Sequence, residues 1–101
     1  MEFLVHIIIE PPDSLEPDAL RRLREAEAAR AAELAGSGVL LRLWREPGRW
    51  ANWGLWAARD EADLDAALGS LPLRPYMGVT VHPLEAHPSD PNRSSHPGGG
   101  D

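Results

Sequence analysis

The segment VLLRLWREPGRWANWGLWA, residues 39–57, contains two apolar runs separated by a short turn sequence. Pro47–Arg49 provide the turn, because proline and glycine favour tight reversals of the backbone. The runs on either side, Val39–Arg45 and Trp50–Ala57, are rich in the branched and aromatic residues typical of β-strands. We therefore predict a β-hairpin whose turn is slightly longer than the minimum.

On the N-terminal side of this hairpin the sequence predicts one strand and one helix. Residues 3–9 read FLVHIII and are followed by two prolines, which predicts a strand with two mostly apolar faces. From Pro17 to Ala35 the chain is dense in Ala, Leu, Arg and Glu, which are strong helix formers. The sequence Gly36-Ser37-Gly38 is expected to end this helix.

On the C-terminal side the sequence predicts a short helix and a last strand. Asp60 is the expected cap of the helix, with Asp63 as its partner three residues on. A rigid loop follows, and Met77–His82 is expected to form the last strand. The chain then turns polar, so we predict a domain over residues 1–88 and a flexible polar tail over residues 89–101.

The predicted order of elements, βαββαβ, is that of a ferredoxin-like α+β fold. Such a fold has an antiparallel four-stranded sheet with two helices on one face. Trp50 and Trp56 should alternate on one side of the third strand, with Trp53 and Leu55 on the other. Four tryptophans present more apolar surface than two short helices can cover, so we expect a homo-oligomer.

Composition excludes several classes of chemistry. A chain of 101 residues fits one small domain, and the absence of cysteine removes thiol nucleophiles, disulfides and cysteine-bound metals. The absence of lysine removes Schiff-base chemistry. No glycine-rich phosphate loop or His-carboxylate cluster is found, so we expect no cofactor and no metal. The acidic balance, with a pI near 5.1, argues against nucleic acid, and the first apolar run is too short to span a membrane. We expect a cytoplasmic protein that acts on a small molecule.

Glu27 is the most informative polar residue of the sequence. It lies within the apolar stripe of the first helix, four residues from Leu23 and four from Ala31, and should face the sheet. Burial raises the pKa of a carboxyl group towards neutrality, which suits it to remove a proton next to a carbonyl. The alternative is a structural ion pair with an arginine such as Arg45.

Three further residues are candidates for contact with a substrate. Asn52 lies between Trp50 and Gly54 on one strand face, where its amide could donate to a developing oxyanion. Its alternative role is a hydrogen bond to neighbouring backbone. Arg45 would suit a substrate carboxylate, although it could equally serve as an ion-pair partner. His6 could reach a cavity, although a packed, hydrogen-bonded histidine is the more common case.

The sequence resembles the muconolactone Δ-isomerase family over residues 1–90, apparently without gaps. The shared pattern is a series of short fragments at matching separations: Pro17, Glu27, Gly38, Leu43-Trp44-Arg45, Gly48, Ala51-Asn52, Leu71-Pro72-Leu73, Pro75-Tyr76-Met77 and His87-Pro88-Ser89. The resemblance implies a dimeric α+β barrel, with dimers gathered into larger rings such as decamers. It also implies cofactor-free conversion of muconolactone to 3-oxoadipate enol-lactone, in the β-ketoadipate route of aromatic catabolism.

The resemblance assigns Glu27 as the acid/base group and places Asn52 and Trp50 beside the lactone. We expect Glu27 and Asn52 to be catalytic. The expected substrate-binding residues are His6, Arg45, Trp50, Trp56 and Tyr76. The family favours tyrosines at positions 50 and 53, where this chain has tryptophans. Two alternatives therefore stay open: a cyclase or isomerase acting on a polyketide-like substrate, and a non-catalytic oligomer that binds a small ligand.

Overall fold

The computed structural model describes residues 1–92 and has the predicted order of elements. Its elements are β1 (Glu2–Ile9), α1 (Pro17–Gly36), β2 (Leu40–Arg45), β3 (Ala51–Ala57), α2 (Glu61–Gly69), a short 3-10 helix (Arg74–Tyr76) and β4 (Met77–Leu84). The prediction of an α+β fold with two helices and four strands is thus confirmed. Most of the tail expected over residues 89–101 lies outside the described residues, since only 89–92 are described.

The four strands form one antiparallel sheet in the order β2-β3-β1-β4. β4 is an edge strand and runs two residues further than predicted, through Pro83. A proline is tolerated there because an edge strand has one side without ladder partners. β1 and β3 are the central pair, and their register places Val5 opposite Gly54 and Ile7 opposite Asn52. β1 is therefore hydrogen-bonded on both of its edges, to β3 and to β4.

Alternation along β1 separates the two faces of the sheet. The side chains of Phe3, Val5, Ile7 and Ile9 are buried beneath the helices. The same core includes residues from both helices, from β3 and from the loop that follows α2. Its other buried members are Leu34, Leu40, Trp56, Leu64, Leu68, Leu71 and Leu73. Burial of this apolar layer is the main stabilising contribution to the fold.

The helix α1 packs on the sheet through the predicted stripe. Leu34 is buried, while Leu20, Leu23 and Ala31 are half-buried and contact the core. Pro17 occupies the first turn, where its missing N–H costs no helical hydrogen bond. Gly38 follows the helix with φ of 81°, a left-handed conformation that favours glycine.

The helix α2 begins at the predicted cap. The Asp60 side chain accepts a hydrogen bond from the Asp63 N–H at 2.8 Å. In a capping box the Asp63 carboxylate would accept in return from the Asp60 N–H. Here it accepts from the N–H of the preceding residue, Arg59, at 3.1 Å. Asp63 also forms an ion pair with the Arg59 guanidinium. The carboxylate therefore holds the residue before the cap in place.

The second face of the sheet carries no helix. Leu4, His6 and Ile8 of β1 lie there with Trp53 and Leu55 of β3, and all five are half-buried. Trp44 lies in register with Trp53 and is 43% exposed. We call these six residues the open face. Neither helix within residues 1–92 is apolar enough over a sufficient length to cross a membrane.

Candidate active site

Glu27 lies half-buried between α1 and the loop that follows α2. Its Oε1 accepts a hydrogen bond from the Leu73 backbone N–H at 2.9 Å. The helical stripe dictates this position, because Leu23 and Ala31 lie one turn before and after and both contact the core. Within residues 1–92 the carboxylate forms no ion pair, so the alternative pairing with Arg45 does not occur.

Burial raises the pKa of Glu27 above the ordinary value of 4.5. Removal of water disfavours the charged carboxylate, and this effect exceeds the opposing effect of the Leu73 N–H, which stabilises the charge. A carboxyl group in this state is a stronger base than a solvated glutamate. A stronger base accepts a proton from carbon more readily.

A cavity of about 510 Å³ opens between the β2–β3 hairpin and α1. It is lined by Arg24, Leu43, Trp44, Arg45, Arg49, Trp50, Ala51 and Asn52. This volume lies within the range of about 300–1,000 Å³ found for small-molecule sites. Glu27 is not one of the lining residues, but it follows Arg24 by three residues on α1, so the two side chains are neighbours on the helix surface.

The cavity brings together three of the residues expected from the sequence. Arg45 and Asn52 are directly opposed in the β2–β3 ladder, so their side chains are neighbours on one face. Trp50 precedes β3 on that face, and its ring is covered by the Arg24 guanidinium at 4.7 Å. An aromatic wall, an amide and three arginine side chains therefore converge on one space.

Like Arg49, Arg24 is a lining residue that sequence reasoning missed. It lies about 60° from Glu27 around the helix, at the edge of the apolar stripe, where a charged side chain is usually a solvated one. The length of the arginine side chain could have indicated this role, because an arginine at the edge of the stripe can reach over the sheet and stack on an aromatic ring. The tryptophan at position 50 is that ring.

The expectation that His6 contacts the substrate is not supported by its position. His6 lies on the open face, across the sheet from Asn52, because alternate residues of a strand point in opposite directions. Its Nε2 is 2.8 Å from Glu46 Oε1, and its ring lies 4.3 Å from that of Trp53. Glu46 also accepts from Trp53 Nε1 and from Arg49. These bonds, with that from Arg49 the largest, lower the pKa of Glu46.

The two remaining aromatic candidates lie outside the cavity lining. Trp56 is on the cavity side of β3 but is only 2% exposed, within the core. Tyr76 is half-buried and contacts the core from the short 3-10 helix. Its backbone carbonyl accepts from the Glu10 N–H, which ties the start of β4 to the end of β1. Neither aromatic ring is among the groups that surround the cavity.

The architecture and the site define a class: a ferredoxin-like α+β protein with a half-buried acid/base candidate beside an arginine-bearing cavity. Comparison with known proteins narrows this class. Residues 1–90 match the family model described as muconolactone delta-isomerase. The chain is 36% identical over 89 residues to muconolactone Delta-isomerase 2 of Acinetobacter lwoffii, covering 88% of this chain and 93% of that protein.

Two further similarities point the same way. Muconolactone Delta-isomerase of Pseudomonas aeruginosa is 34% identical over 89 residues, covering 88% of this chain and 93% of the relative. A crystal structure of muconolactone isomerase superposes with a TM-score of 0.84 at 32% identity, covering 90% of this chain and 95% of that one. The chain belongs to the muconolactone Delta-isomerase family and is an isomerase.

Proposed function

We propose that this protein isomerises muconolactone, or a closely similar unsaturated lactone with a carboxylate side chain, by moving one proton. The observation that carries the proposal is the half-buried Glu27, with its raised pKa, three residues from Arg24, which lines the cavity. The relatives and the similar crystal structure named above support the substrate class. The family match spans residues 1–90, which include Glu27 and every residue that lines the cavity.

The proton transfer uses Glu27 twice. The carboxylate takes the proton from the ring carbon γ to the lactone carbonyl, and the C–H electron pair moves into the ring as a dienolate. Negative charge then lies on the carbonyl oxygen. Protonated Glu27 returns the same proton to the α carbon, and the double bond now joins the β and γ carbons. One base that moves one proton completes the reaction, with atoms and charge conserved.

The other cavity residues hold the substrate in this geometry. Arg45 and Arg24 provide guanidinium donors for the carboxylate side chain, because paired N–H groups match a carboxylate in shape and charge. Trp50 supplies a flat wall for the ring, and Asn52 lies beside the lactone. Arginines on the cavity favour an anionic substrate over the apolar polyketide-like compound that the tryptophans alone suggest. Tyr76 packs against the core behind the site.

A solvent-exchange experiment tests the reaction. Muconolactone is incubated with the protein in deuterated buffer, and the proton signals of the α and γ carbons are followed by NMR. We expect conversion to the isomer with less than full deuterium at the α carbon, because Glu27 returns part of the original proton before it exchanges. A protein that binds muconolactone with neither turnover nor loss of the γ proton signal would instead be a ligand-binding member.

We further propose that a second copy of the chain covers the open face, giving the dimeric α+β barrel from which larger rings could form. The support is physical: the sheet has helices on one side only, while Trp53, Leu55 and the exposed Trp44 lie on the other. Exposed apolar groups on an uncovered sheet face are typical of an interface.

We expect the wild type to be at least a dimer at micromolar concentration in light scattering. Substitution Trp44→Glu should shift the measured mass towards the monomer, because a carboxylate on the open face would lose its hydration upon association. The matched control is Ala32→Glu, which adds the same charge on the exposed side of α1. A wild-type monomer, or an unchanged mass for Trp44→Glu, would contradict the proposed interface.

A further inference from the structure

Two buried polar atoms on the helix side of β3 have no hydrogen-bond partner within residues 1–92: Asn52 Oδ1 and Trp56 Nε1. Trp56 is almost completely enclosed, so its N–H cannot reach bulk water. Burial of an unsatisfied donor costs free energy of folding, and such groups are uncommon in native proteins. Asn52 and Trp56 lie two residues before and two residues after Gly54, so an unpartnered acceptor and an unpartnered donor flank this glycine. This arrangement suggests a binding partner from outside the chain.

Gly54 sets the direction of the indole N–H. A Cβ atom built at this position would lie 2.6 Å from Trp56 Nε1 and 3.2 Å from Trp56 Cδ1. Any side chain would therefore push the ring away, and only glycine lets its N–H edge lie back along β3 over residue 54. The N–H is thus displaced along the strand towards Asn52, which lines the cavity.

Leu43 borders both the cavity and the space over Gly54. Its Cδ1 lies 3.4 Å from the same Cβ position at Gly54, and its side chain lines the cavity and is 51% exposed. A half-exposed leucine can change rotamer at small cost. Rotation of Leu43 would open a short passage from the cavity, past Asn52, to the indole N–H.

We propose that Trp56 is a catalytic residue whose Nε1–H donates to the lactone carbonyl oxygen and stabilises the charge that develops there. This inference rests on the proposed function, because the oxygen becomes negative only when Glu27 removes the γ proton. An indole N–H is a donor and never an acceptor, so it favours the oxyanion. In a site without water, a preoriented donor of this kind stabilises the dienolate more than the neutral lactone.

Asn52 completes the oxygen site. Its Oδ1 is buried without a partner within residues 1–92, and a half-turn of the amide exchanges this oxygen for the Nδ2 donor. The carbonyl oxygen would then accept from both Trp56 and Asn52. With the carboxylate side chain at Arg45 and the carbonyl at Trp56, the lactone has one orientation along the β2–β3 face.

The sharpest test replaces one atom group. Incorporation of 3-benzothienylalanine at position 56 exchanges the indole N–H for sulfur and keeps the bicyclic shape. We expect kcat for muconolactone to fall about 10²-fold, the usual loss for one oxyanion donor, with KM nearly unchanged. The acid limb of the pH profile should stay in place, because Glu27 is untouched. The same replacement at Trp53, whose N–H bonds to Glu46 on the open face, should leave kcat within about twofold.

A second measurement does not depend on a folded variant. The indole N–H signals of wild-type protein labelled with ¹⁵N-tryptophan are recorded with and without the saturated lactone that carries the same carboxylate side chain. We expect the Trp56 signal to move downfield and that of Trp53 to stay. The inference would be overturned by an unshifted Trp56 signal in the bound state or by full kcat in the sulfur variant. In either case an inactive Glu27→Gln would still support the proposed function. An active Glu27→Gln would instead overturn the proposed function.

Discussion

Substitution Glu27→Gln should reduce kcat for muconolactone by about 10²- to 10⁴-fold, the range associated with loss of one general base. The amide has nearly the same shape and can still accept the Leu73 N–H, but it cannot take a proton from carbon. KM should change little, since in the proposed mechanism Glu27 acts on the reacting carbons and not on the carboxylate side chain. Steady-state kinetics at substrate concentrations on both sides of KM measures the two constants separately.

The matched control is Glu25→Gln on the same helix. Glu25 is exposed and, within residues 1–92, pairs only with Arg21, so its neutralisation should leave kcat unchanged. Equal activity of Glu27→Gln and wild type would remove Glu27 from the mechanism. Equal losses in both variants would point to a general effect of charge on α1 and would contradict a specific role as well.

Stability separates a catalytic from a structural role for Glu27. Because burial raises its pKa in the folded protein, the folded state binds this proton more tightly than the unfolded chain. The resulting stabilisation is fully present below the unfolded pKa and is lost as pH rises through the folded pKa. At pH 8 Glu27→Gln should therefore be at least as stable as wild type in thermal unfolding, and that relative gain should shrink on acidification. A large destabilisation at pH 8 would mean that the carboxylate supports the fold.

The pH dependence of the reaction follows from the same shift. The first step needs the ionised carboxylate, so kcat/KM should rise with pH through the pKa of Glu27 in the free enzyme. That limb should lie above the ordinary glutamate value of 4.5. A limb at or below that value would show that the active base is a solvated carboxylate and not Glu27.

The fold could be predicted because its signals are local and repeat. The apolar alternation of β1, the helix formers between Pro17 and Ala35 and the turn at Pro47–Arg49 each specify one element. Their order then leaves few topologies. What the sequence could not fix are boundaries that depend on pairing, such as the extension of β4 through Pro83, which only its register with β1 allows.

The sequence could predict the part of the candidate site that depends on which way a side chain points from its helix or strand. Placement of Glu27 towards the sheet and of Asn52 beside Trp50 follows from the helical and strand repeats. The same alternation places His6 on the opposite face from Phe3, but it does not say on which side the cavity lies. Contacts across elements, such as Leu73 N–H with Glu27 or Arg24 over Trp50, join residues far apart in the chain. No spacing rule within a single sequence predicts them.

Loss of Arg24 and Arg45, two of the three arginines that line the cavity, should have the largest effect on substrate binding. In the double variant Arg24→Gln/Arg45→Gln we expect kcat/KM for muconolactone to fall about 10²-fold or more. Each charge-assisted hydrogen bond contributes about 1.5–3 kcal/mol, and a 1.4 kcal/mol loss is tenfold. Most of the change should appear in KM, since the carboxylate side chain keeps its charge throughout the reaction. With Arg24 kept as Gln, a lysine at position 45 should restore only part of the lost kcat/KM, because an ammonium group lacks the planar fork of a guanidinium.

Arg42→Gln provides the matched control for this pair. It lies three residues before Arg45 on the same strand, but it is in register with Leu55 of the open face and its guanidinium covers Trp44. Its loss should leave KM unchanged. A lactone with a methyl group in place of the carboxylate side chain tests the assignment from the substrate side: the wild type and the double variant should convert it at the same low efficiency. If the double variant were still impaired with this compound, the arginines would act on the lactone ring or on Glu27, and the carboxylate assignment would be wrong.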